Sequence, residues 1–123
     1  MAKKATPTGP RLRVVIEPDV AIGPGKADLL EAIRDTGSIS AAGRRLGMSY
    51  RRAWMLVDEL NRHLGAAVVE AVTGGAKGGG AALTRVGDEV LGRYRNMEQS
   101  CRAAIADDMQ ALKSLVRRNH RQK

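Results

Sequence analysis

The sequence predicts a mainly α-helical fold with a small β component, and three observations lead to this class. Three short helical patterns follow one another between residues 26 and 65, separated only by glycine turns. Two β-prone segments flank a glycine-rich loop, "TGGAKGGGAALT", at residues 73–84. A stripe of apolar residues at steps of three or four then runs through the last third of the chain, which is the period of one helix face.

The charge of the chain indicates a polyanionic partner. The 123 residues fit one domain, and they carry a net charge of +8 and a pI near 10.4. Residues 36–57 contain four arginines and no acidic residue, and residues 113–123 contain five lysines and arginines and no acidic residue. Nucleic acid is favoured over a membrane as the partner, while simple solubility is the alternative explanation.

Cysteine usage and hydropathy indicate a cytoplasmic protein. Cys101 is the single cysteine, so an internal disulfide and a cysteine metal cluster are excluded, and a reducing compartment fits. The first ten residues, "MAKKATPTGP", lack the apolar stretch of a secretory signal. No apolar run approaches the length that crosses a membrane, so we expect no membrane partner.

The chain begins with an arm and a strand. Residues 1–10 contain nothing to bury and are expected to be a disordered arm. The β-branched residues 11–17 predict a strand, and the Pro and Gly residues of 18–25 predict a loop. Residues 26–37 then predict a helix with Leu29, Leu30 and Ile33 on one face, ending at Gly37.

The next two helices are separated only by the tetrapeptide "LGMS". The first is expected to begin at the N-cap Ser38 and to end at Gly47. The second is expected to begin at the N-cap Ser49 and to end at Gly65. Two short helices joined by so tight a turn, with arginines opening the second, are typical of a helix-turn-helix. An ordinary helical hairpin with exposed arginines is the alternative.

A hairpin completes the predicted domain. Residues 66–72 and the short segment 81–84 are β-prone, and the glycine loop between them forms an overlong tip. A helix-turn-helix followed by such a hairpin is a winged helix, so residues 11–84 are predicted to form a winged helix-turn-helix domain. Thr84 then caps a long helix over residues 85–118, and a basic tail follows at 119–123.

The long helix has an apolar face that one small domain cannot cover. Such a helix usually pairs with its symmetry mate, so we predict a homodimerisation helix. Packing of the face over its own domain is the alternative, and part of it must pack in that way. Gly87 and Gly92 weaken the helix and predict close packing there. The expected interface residues are Val90, Tyr94, Met97, Cys101, Ile105 and Leu112.

The glycine loop does not have the pattern of a nucleotide site. A phosphate-binding loop of the Walker type needs Gly-Lys-Ser/Thr, but here Lys77 precedes the glycine run. Leu83 stands where the third glycine of a dinucleotide signature would be. As a wing, the same glycines would let the backbone approach a sugar-phosphate wall, with Lys77 as a phosphate contact.

No catalytic or metal-binding pattern is found in the sequence. His63 and His120 are far apart and have no acid at a ligand spacing, and His63 is expected at a helix end. Cys101 lies on the apolar stripe, where packing is favoured over nucleophilic chemistry. We therefore expect neither an enzyme nor a bound cofactor or metal.

The first turn of the helix after Ser49 is the candidate for contact with double-stranded DNA, because this end enters the major groove in the helix-turn-helix architecture. Arginine there can read guanine or hold phosphate. Arg44 and Arg45 on the preceding helix suit the DNA backbone. Trp54 is expected either to wedge the helices together or to contact a base. The remaining candidates are Ser49, Tyr50, Arg51, Arg52 and Met55.

Two stretches, "GSISAAGRRLGMSYRRAW" and "TGGAKGGGAALTRVGDEVLGRY", resemble the DNA-binding domain of the ModE-type molybdate-responsive regulators, which share a winged helix-turn-helix with the LysR-type regulators. The likeness extends from about residue 12 to about residue 94. It implies a dimeric repressor or activator on a palindromic operator. It also implies that the recognition helix and the wing touch DNA, which adds Thr73 and Lys77 to the candidates.

The resemblance also names an effector that these residues do not display. Full-length members carry C-terminal oligonucleotide-fold domains that bind molybdate, and we expect no room for them in these 123 residues. Two alternatives stay open: a stand-alone DNA-binding form, whose effector is absent or bound elsewhere, or a truncated chain. Molybdate is therefore expected only through the family resemblance. Three other functions stay open: a sequence-nonspecific nucleoid-type protein, a helical protein that binds an acidic partner and, nearly excluded by the missing motifs, a small phosphate-binding enzyme.

Overall fold

The computed structural model describes residues 8–73 and 80–121, and it confirms the predicted fold class. Over these residues the chain forms five helices and two small antiparallel sheets. In chain order the elements are β1 (Val14–Glu17), β2 (Val20–Ile22), α1 (Pro24–Thr36), α2 (Ile39–Arg45), α3 (Tyr50–His63), β3 (Val69–Val72), β4 (Gly80–Leu83), α4 (Arg85–Ala104) and α5 (Ala106–Arg121).

The first sheet is a hairpin that the sequence analysis recognised only in part. The predicted strand begins at Val14 instead of residue 11, and residues 20–22 of the predicted loop form a second strand. Val14 pairs with Ile22 and Glu17 pairs with Val20, with an irregularity between them. Pro18 and Asp19 make the two-residue turn, which explains why turn-forming residues stand inside a region that still contains a strand.

Glycine and serine residues mark the boundaries between the helices α1, α2 and α3, as the sequence predicted. Pro24 occupies the first turn of α1, where its missing N–H is not needed. Gly37 ends α1 in the left-handed conformation with φ 71°, and its N–H donates to the Ile33 carbonyl at 2.8 Å. The Ser38 hydroxyl oxygen accepts from the Ala41 N–H and thereby caps α2.

The core lies where α1 crosses α2, α3 and α4. Its fully buried large side chains come from α1, α3, α4 and the chain that enters β3, so these segments share one core. Full burial of an aliphatic side chain of this size contributes about 1.5–3 kcal/mol. These side chains are Leu29, Leu30, Ile33, Leu60, Val68, Leu91 and Tyr94.

The second sheet is the hairpin that the sequence placed around the glycine loop. Val69 pairs with Leu83 and Val72 pairs with Gly80. The other edge of β4 is held by the turn between α1 and α2, because the Ala81 N–H donates to the Gly37 carbonyl at 2.9 Å. The tip of the hairpin, residues 74–79, lies outside the described residues.

The first turn of α4 lies directly on the chain that enters β3. The Thr84 hydroxyl accepts from the Gly87 N–H at 3.0 Å and donates to the Ala67 carbonyl at 2.6 Å. A Cβ at Gly87 would collide with the backbone carbonyl of Val68. The predicted close packing is therefore confirmed at Gly87, whereas a Cβ at Gly92 would meet nothing within 4 Å.

The long helical region is divided at Ile105. This residue has φ −100° and ψ 7°, outside the helical region, so α4 and α5 are separate helices where the sequence predicted one. Residues 8–10 of the predicted arm lie beside this junction, with Gly9 close to the Arg102 guanidinium. Periodicity did not indicate the break, because apolar residues recur at helical spacing on both sides of it.

Polar contacts bind α1 to its neighbours. Arg95 of α4 bonds Asp28 at 2.8 Å and Glu31 at 3.2 Å, and also Glu98 at 2.8 Å. Burial opposes the charge, but the hydrogen bonds to Asp28 and Glu98 and the attraction of Glu31 together raise the pKa of Arg95. This side chain therefore holds α4 against α1.

Two further contacts involve buried or half-buried polar groups. Lys26 of α1 donates to Glu59 of α3 at 2.9 Å, and this hydrogen bond lowers the pKa of Glu59. The Tyr94 hydroxyl donates to the Leu12 carbonyl and so holds the N-terminal segment on α4. Burial of Tyr94 raises the pKa of its phenol.

The two glycines of α4 provide a matched test of the packing. Gly87→Ala should lower the free energy of unfolding by about 3 kcal/mol, because the Val68 backbone would have to move. Gly92→Ala should raise it by about 0.5–1 kcal/mol, since alanine is the better helix former. Urea denaturation of both variants measures the difference, and equal effects would contradict the close approach.

Candidate nucleic-acid interface

The helix α3 presents its first turn to solvent. Ser49 is its N-cap, as predicted, and the Ser49 hydroxyl oxygen accepts from the Arg52 N–H at 3.1 Å. Because only the oxygen is engaged, the hydroxyl proton remains able to donate to a ligand. Ala53, Val57 and Leu60 are buried on the opposite face, so helix geometry turns the residues after the cap outward.

The arginines of this region differ in their partners. Within the part of the chain that the structure describes, Arg51 and Arg52 are exposed and form no salt bridge. Arg44 donates to the Ser40 hydroxyl at 2.9 Å, and Arg45 pairs with Asp35 at 3.3 Å. An exposed pair of this kind contributes little to stability, so Arg45 can exchange Asp35 for another anion at small cost.

Three large apolar side chains accompany the arginines on the exposed face of α3. The exposed fractions are 60% for Tyr50, 44% for Trp54 and 58% for Met55. The rings of Tyr50 and Trp54 meet edge to face, with centroids 6.2 Å apart. Trp54 therefore stands on the outer surface of α3, outside the core formed by Ala53 and Val57.

A cleft of about 450 Å³ separates α3 from the β3–β4 hairpin. Tyr50 and Trp54 line one wall, Ala71 and Gly80 line the other, and Ser40 stands at the start of α2. The cleft is open to solvent and mostly apolar, with serine hydroxyls at one side. It lies between Tyr50 and Trp54 of α3 and the strands β3 and β4.

Asn61 connects these two walls, and the sequence analysis did not identify it. The Asn61 side-chain oxygen accepts from the N–H groups of Val68 and Val69, at 2.7 and 3.2 Å. Its amide nitrogen donates to the Val69 carbonyl at 3.2 Å. The sequence contained an indication of this structural role, because Asn61 is a polar residue one helical turn after Val57 on the buried side of an amphipathic helix.

Of the two wing residues that the resemblance implies, the structure describes Thr73 and does not describe Lys77. Thr73 is exposed and follows β3 directly, on the hairpin side of the cleft. Lys77 and the neighbouring glycines lie outside the described residues. Of the predicted contact residues, Tyr50 lines the cleft, and Arg44 bonds Ser40 of its lining.

The predicted interface residues of the long helical region fall into two groups. Tyr94 is buried in the chain's own core and Val90 packs against it, as the alternative of packing over the domain required. Met97 is 38% exposed and Leu112 is 56% exposed. Cys101 and Ile105 are half-buried. Helix α5 has no buried residue, and Leu115 and Val116 are exposed beside Leu112.

Hydropathy separates these helices from membrane-spanning ones. Within residues 8–73 and 80–121, no helix combines the length and the apolar character needed to cross a bilayer.

The fold and the site together define a winged helix-turn-helix protein of the DNA-binding class. A family model described as "Bacterial regulatory helix-turn-helix protein, lysR family" matches residues 26–88, just over half of the chain. The chain belongs to this family.

Individual relatives confirm the resemblance to ModE-type regulators. The chain is 47% identical over 77 residues to the molybdenum-pterin-binding protein MopB of Rhodobacter capsulatus, covering 63% of this chain and 28% of that protein. It is 36% identical over 88 residues to the DNA-binding transcriptional dual regulator ModE of Escherichia coli K12, covering 69% of this chain and 34% of that protein. The chain thus spans about a third of the length of these relatives.

A solved structure supports the fold. The CbnR_DBD–DNA complex superimposes with a TM-score of 0.54 at 21% sequence identity, over 73% of this chain and 95% of that one. At this identity the likeness concerns the architecture alone.

Asn61→Ala tests the connection between α3 and the hairpin. The variant leaves the Val68 and Val69 amides without their side-chain partner, so the free energy of unfolding should fall by about 2 kcal/mol. Asn96→Ala on the exposed surface of α4 is the control, with an expected change within about 0.5 kcal/mol. Thermal or urea denaturation measures both, and similar effects would show that the Asn61 contacts contribute no stability.

Proposed function

We propose that this protein is a sequence-specific transcriptional regulator of the ModE type, which binds a palindromic operator as a homodimer. The observation that carries the proposal is the first turn of α3, where Arg51 and Arg52 are exposed beside an N-cap serine and form no salt bridge among the described residues. In the helix-turn-helix architecture this end of the second helix contacts base edges in the major groove.

The surroundings of α3 supply contacts to the DNA backbone in this proposal. Arg44 and Arg45 stand at the end of α2, and the Ser49 hydroxyl retains a proton to donate. Thr73 and Lys77 of the wing would hold the sugar-phosphate strand on the far side of the cleft. Such phosphate contacts position the protein on the duplex, while base contacts supply the selectivity.

The proposed homodimer uses the apolar surface that the fold leaves uncovered. Helix α5 buries no side chain, although Leu112, Leu115 and Val116 line one of its faces. An isolated helix of 16 residues is only marginally stable in water, so packing against a partner would stabilise it. Val15 and Ile16 of β1 are each 54% exposed and provide a second apolar surface. A second copy of the chain is the proposed partner, because a twofold pair covers the apolar surfaces of α5 and β1 in both copies in the same way.

A twofold dimer carries two copies of α3, which explains the proposed palindromic operator. The link to molybdate in this proposal rests on the resemblance and on the molybdenum-related names of the relatives. It concerns the control of genes that respond to molybdate or another oxyanion.

The experiment that tests the function is a binding titration of the protein against its own upstream DNA and a scrambled duplex. Each titration is made at two salt concentrations, with and without molybdate. A regulator should prefer its site by about 10³-fold or more. Equal and steeply salt-dependent binding to several candidate sites and to scrambled DNA would indicate the nucleoid-type alternative.

Replacing both Arg51 and Arg52 by Ala should reduce the preference for the operator from about 10³-fold to nearly none, because the base contacts are lost. Arg93 is an exposed arginine of α4, distant from α3 in the sequence. As a control, Arg93→Ala also removes positive charge but should leave the preference for the operator unchanged. Competition titrations with specific and scrambled duplexes measure the ratio. Unchanged selectivity in the double variant would contradict the assignment of α3 as the recognition helix.

The double change of Leu112 and Val116 to Glu should convert a dimer to a monomer, because charged groups would be buried at the interface. Ser114→Glu is the matched control, placed between the same residues on another face of α5, and should leave the dimer intact. Sedimentation equilibrium measures the mass of each. A wild-type protein that is monomeric while bound to its operator would overturn the dimer.

A further inference from the structure

We infer that the outer face of α3 reads the C5-methyl groups of thymines in the major groove through Met55 and its neighbours Tyr50 and Trp54. This inference rests on the proposed function and adds to it a chemical class of base contact. It begins from an unusual property of α3, which is that its exposed face carries large apolar side chains in its first two turns.

These side chains are not part of the hydrophobic core. The core contact of α3 is made by Ala53, Val57 and Leu60, which are at most 3% exposed. Met55, at 58%, lies on the opposite side of the helix and lines a shallow surface groove together with Arg51. Because folding leaves this apolar area in water, it contributes to stability only when a ligand covers it.

Charge restricts what that ligand can be. Arg51 and Asp58 both border the groove, and the Asp58 carboxylate is paired with Arg62 at 3.0 Å. From residue 36 to residue 57 the chain carries no acidic group. Because Arg62 neutralises Asp58, the charge left at the groove is that of Arg51, and a polyanion is the favoured occupant. The apolar surface beside this cation requires an apolar group on that polyanion.

In the major groove of DNA, only one base edge presents such a group. Guanine, adenine and unmodified cytosine present hydrogen-bond donors and acceptors there, whereas thymine presents an acceptor and a methyl group. Arg51 can bind a guanine or a phosphate beside the apolar contact. The mixture of arginine and apolar side chains on one face thus fits an operator in which thymines lie next to such contacts.

The position of the two aromatic residues supports the same occupant. Tyr50 and Trp54 stand on the ridge between the groove and the cleft beside the wing, and their edge-to-face contact holds both rings in place. A ridge of rings can contact a methyl group without displacing the base from its stack. Burial of one methyl group contributes about fourfold in affinity.

The test begins with selection of a high-affinity duplex from a randomised pool by the intact protein. Each thymine of the selected site is then replaced by uracil, which removes only the methyl group and retains the pairing edge. We expect at least one position at which the dissociation constant rises about fourfold. Thymines outside the protected region of the duplex are the control and should show no change.

A cycle of protein and DNA changes assigns the contact to its side chain. Met55→Ala, Tyr50→Ala and Trp54→Ala are titrated singly against the thymine and uracil duplexes, and Met55→Leu is the conservative control. The uracil penalty should disappear in at least one alanine variant and persist in Met55→Leu. Met55 and Tyr50 are exposed, so their variants should fold, and the uracil series with the wild-type protein needs no variant.

The outcomes separate the inference from the function on which it rests. If selection enriches no sequence, the proposed sequence-specific function fails, and the methyl contact fails with it. If a site is enriched but every uracil substitution changes the affinity by less than twofold, the methyl contact is overturned and the regulator stands. A uracil penalty that survives all three alanine variants also overturns the assignment to this face.

Discussion

The structure depends on one junction, at which the backbone of Val68 is held from both sides. Asn61 of α3 bonds its N–H group, while Gly87 in the first turn of α4 lies against its carbonyl. Thr84 also donates its N–H to the same carbonyl at 3.0 Å. Since β3 begins one residue later, the exposed face of α3, the hairpin and the start of α4 acquire fixed relative positions here. A Cβ at Gly87 would collide with the Val68 carbonyl and so disturb this junction.

The junction also relates the candidate interface to the candidate dimer surface. Helix α4 leaves the junction held to α1 by Arg95, and it ends at Ile105, where α5 departs with its apolar face uncovered. If α5 pairs with a second copy, the spacing between two copies of α3 is set through this connection. The interior contacts that stabilise one copy would then also orient it in the proposed pair.

The candidate site was predictable where local chemistry decides it. Ser49 caps its helix through an N–H three residues along the chain, so its role could be inferred from the sequence pattern. The outward direction of Arg51 and Met55 follows from the spacing of the buried residues. The position of Trp54 was left open by the sequence, because a residue at the edge of an apolar stripe can turn to either side. Asn61 acquires its role only when β3 passes beside it.

The sequence by itself determined the fold class, the three closely spaced helices with their caps, the hairpin and the basic face of α3. These features depend on interactions between residues close in the chain, or on a periodic pattern that one helix or strand satisfies alone. Only the tertiary structure decided the second strand at residues 20–22, the division of the long helix at Ile105, the burial of Tyr94 and the junction around Val68. The burial of Tyr94 and the junction around Val68 depend on segments distant in the chain, which no local pattern specifies. The second strand pairs with its neighbour β1, but the proline and glycine residues around it indicated a loop.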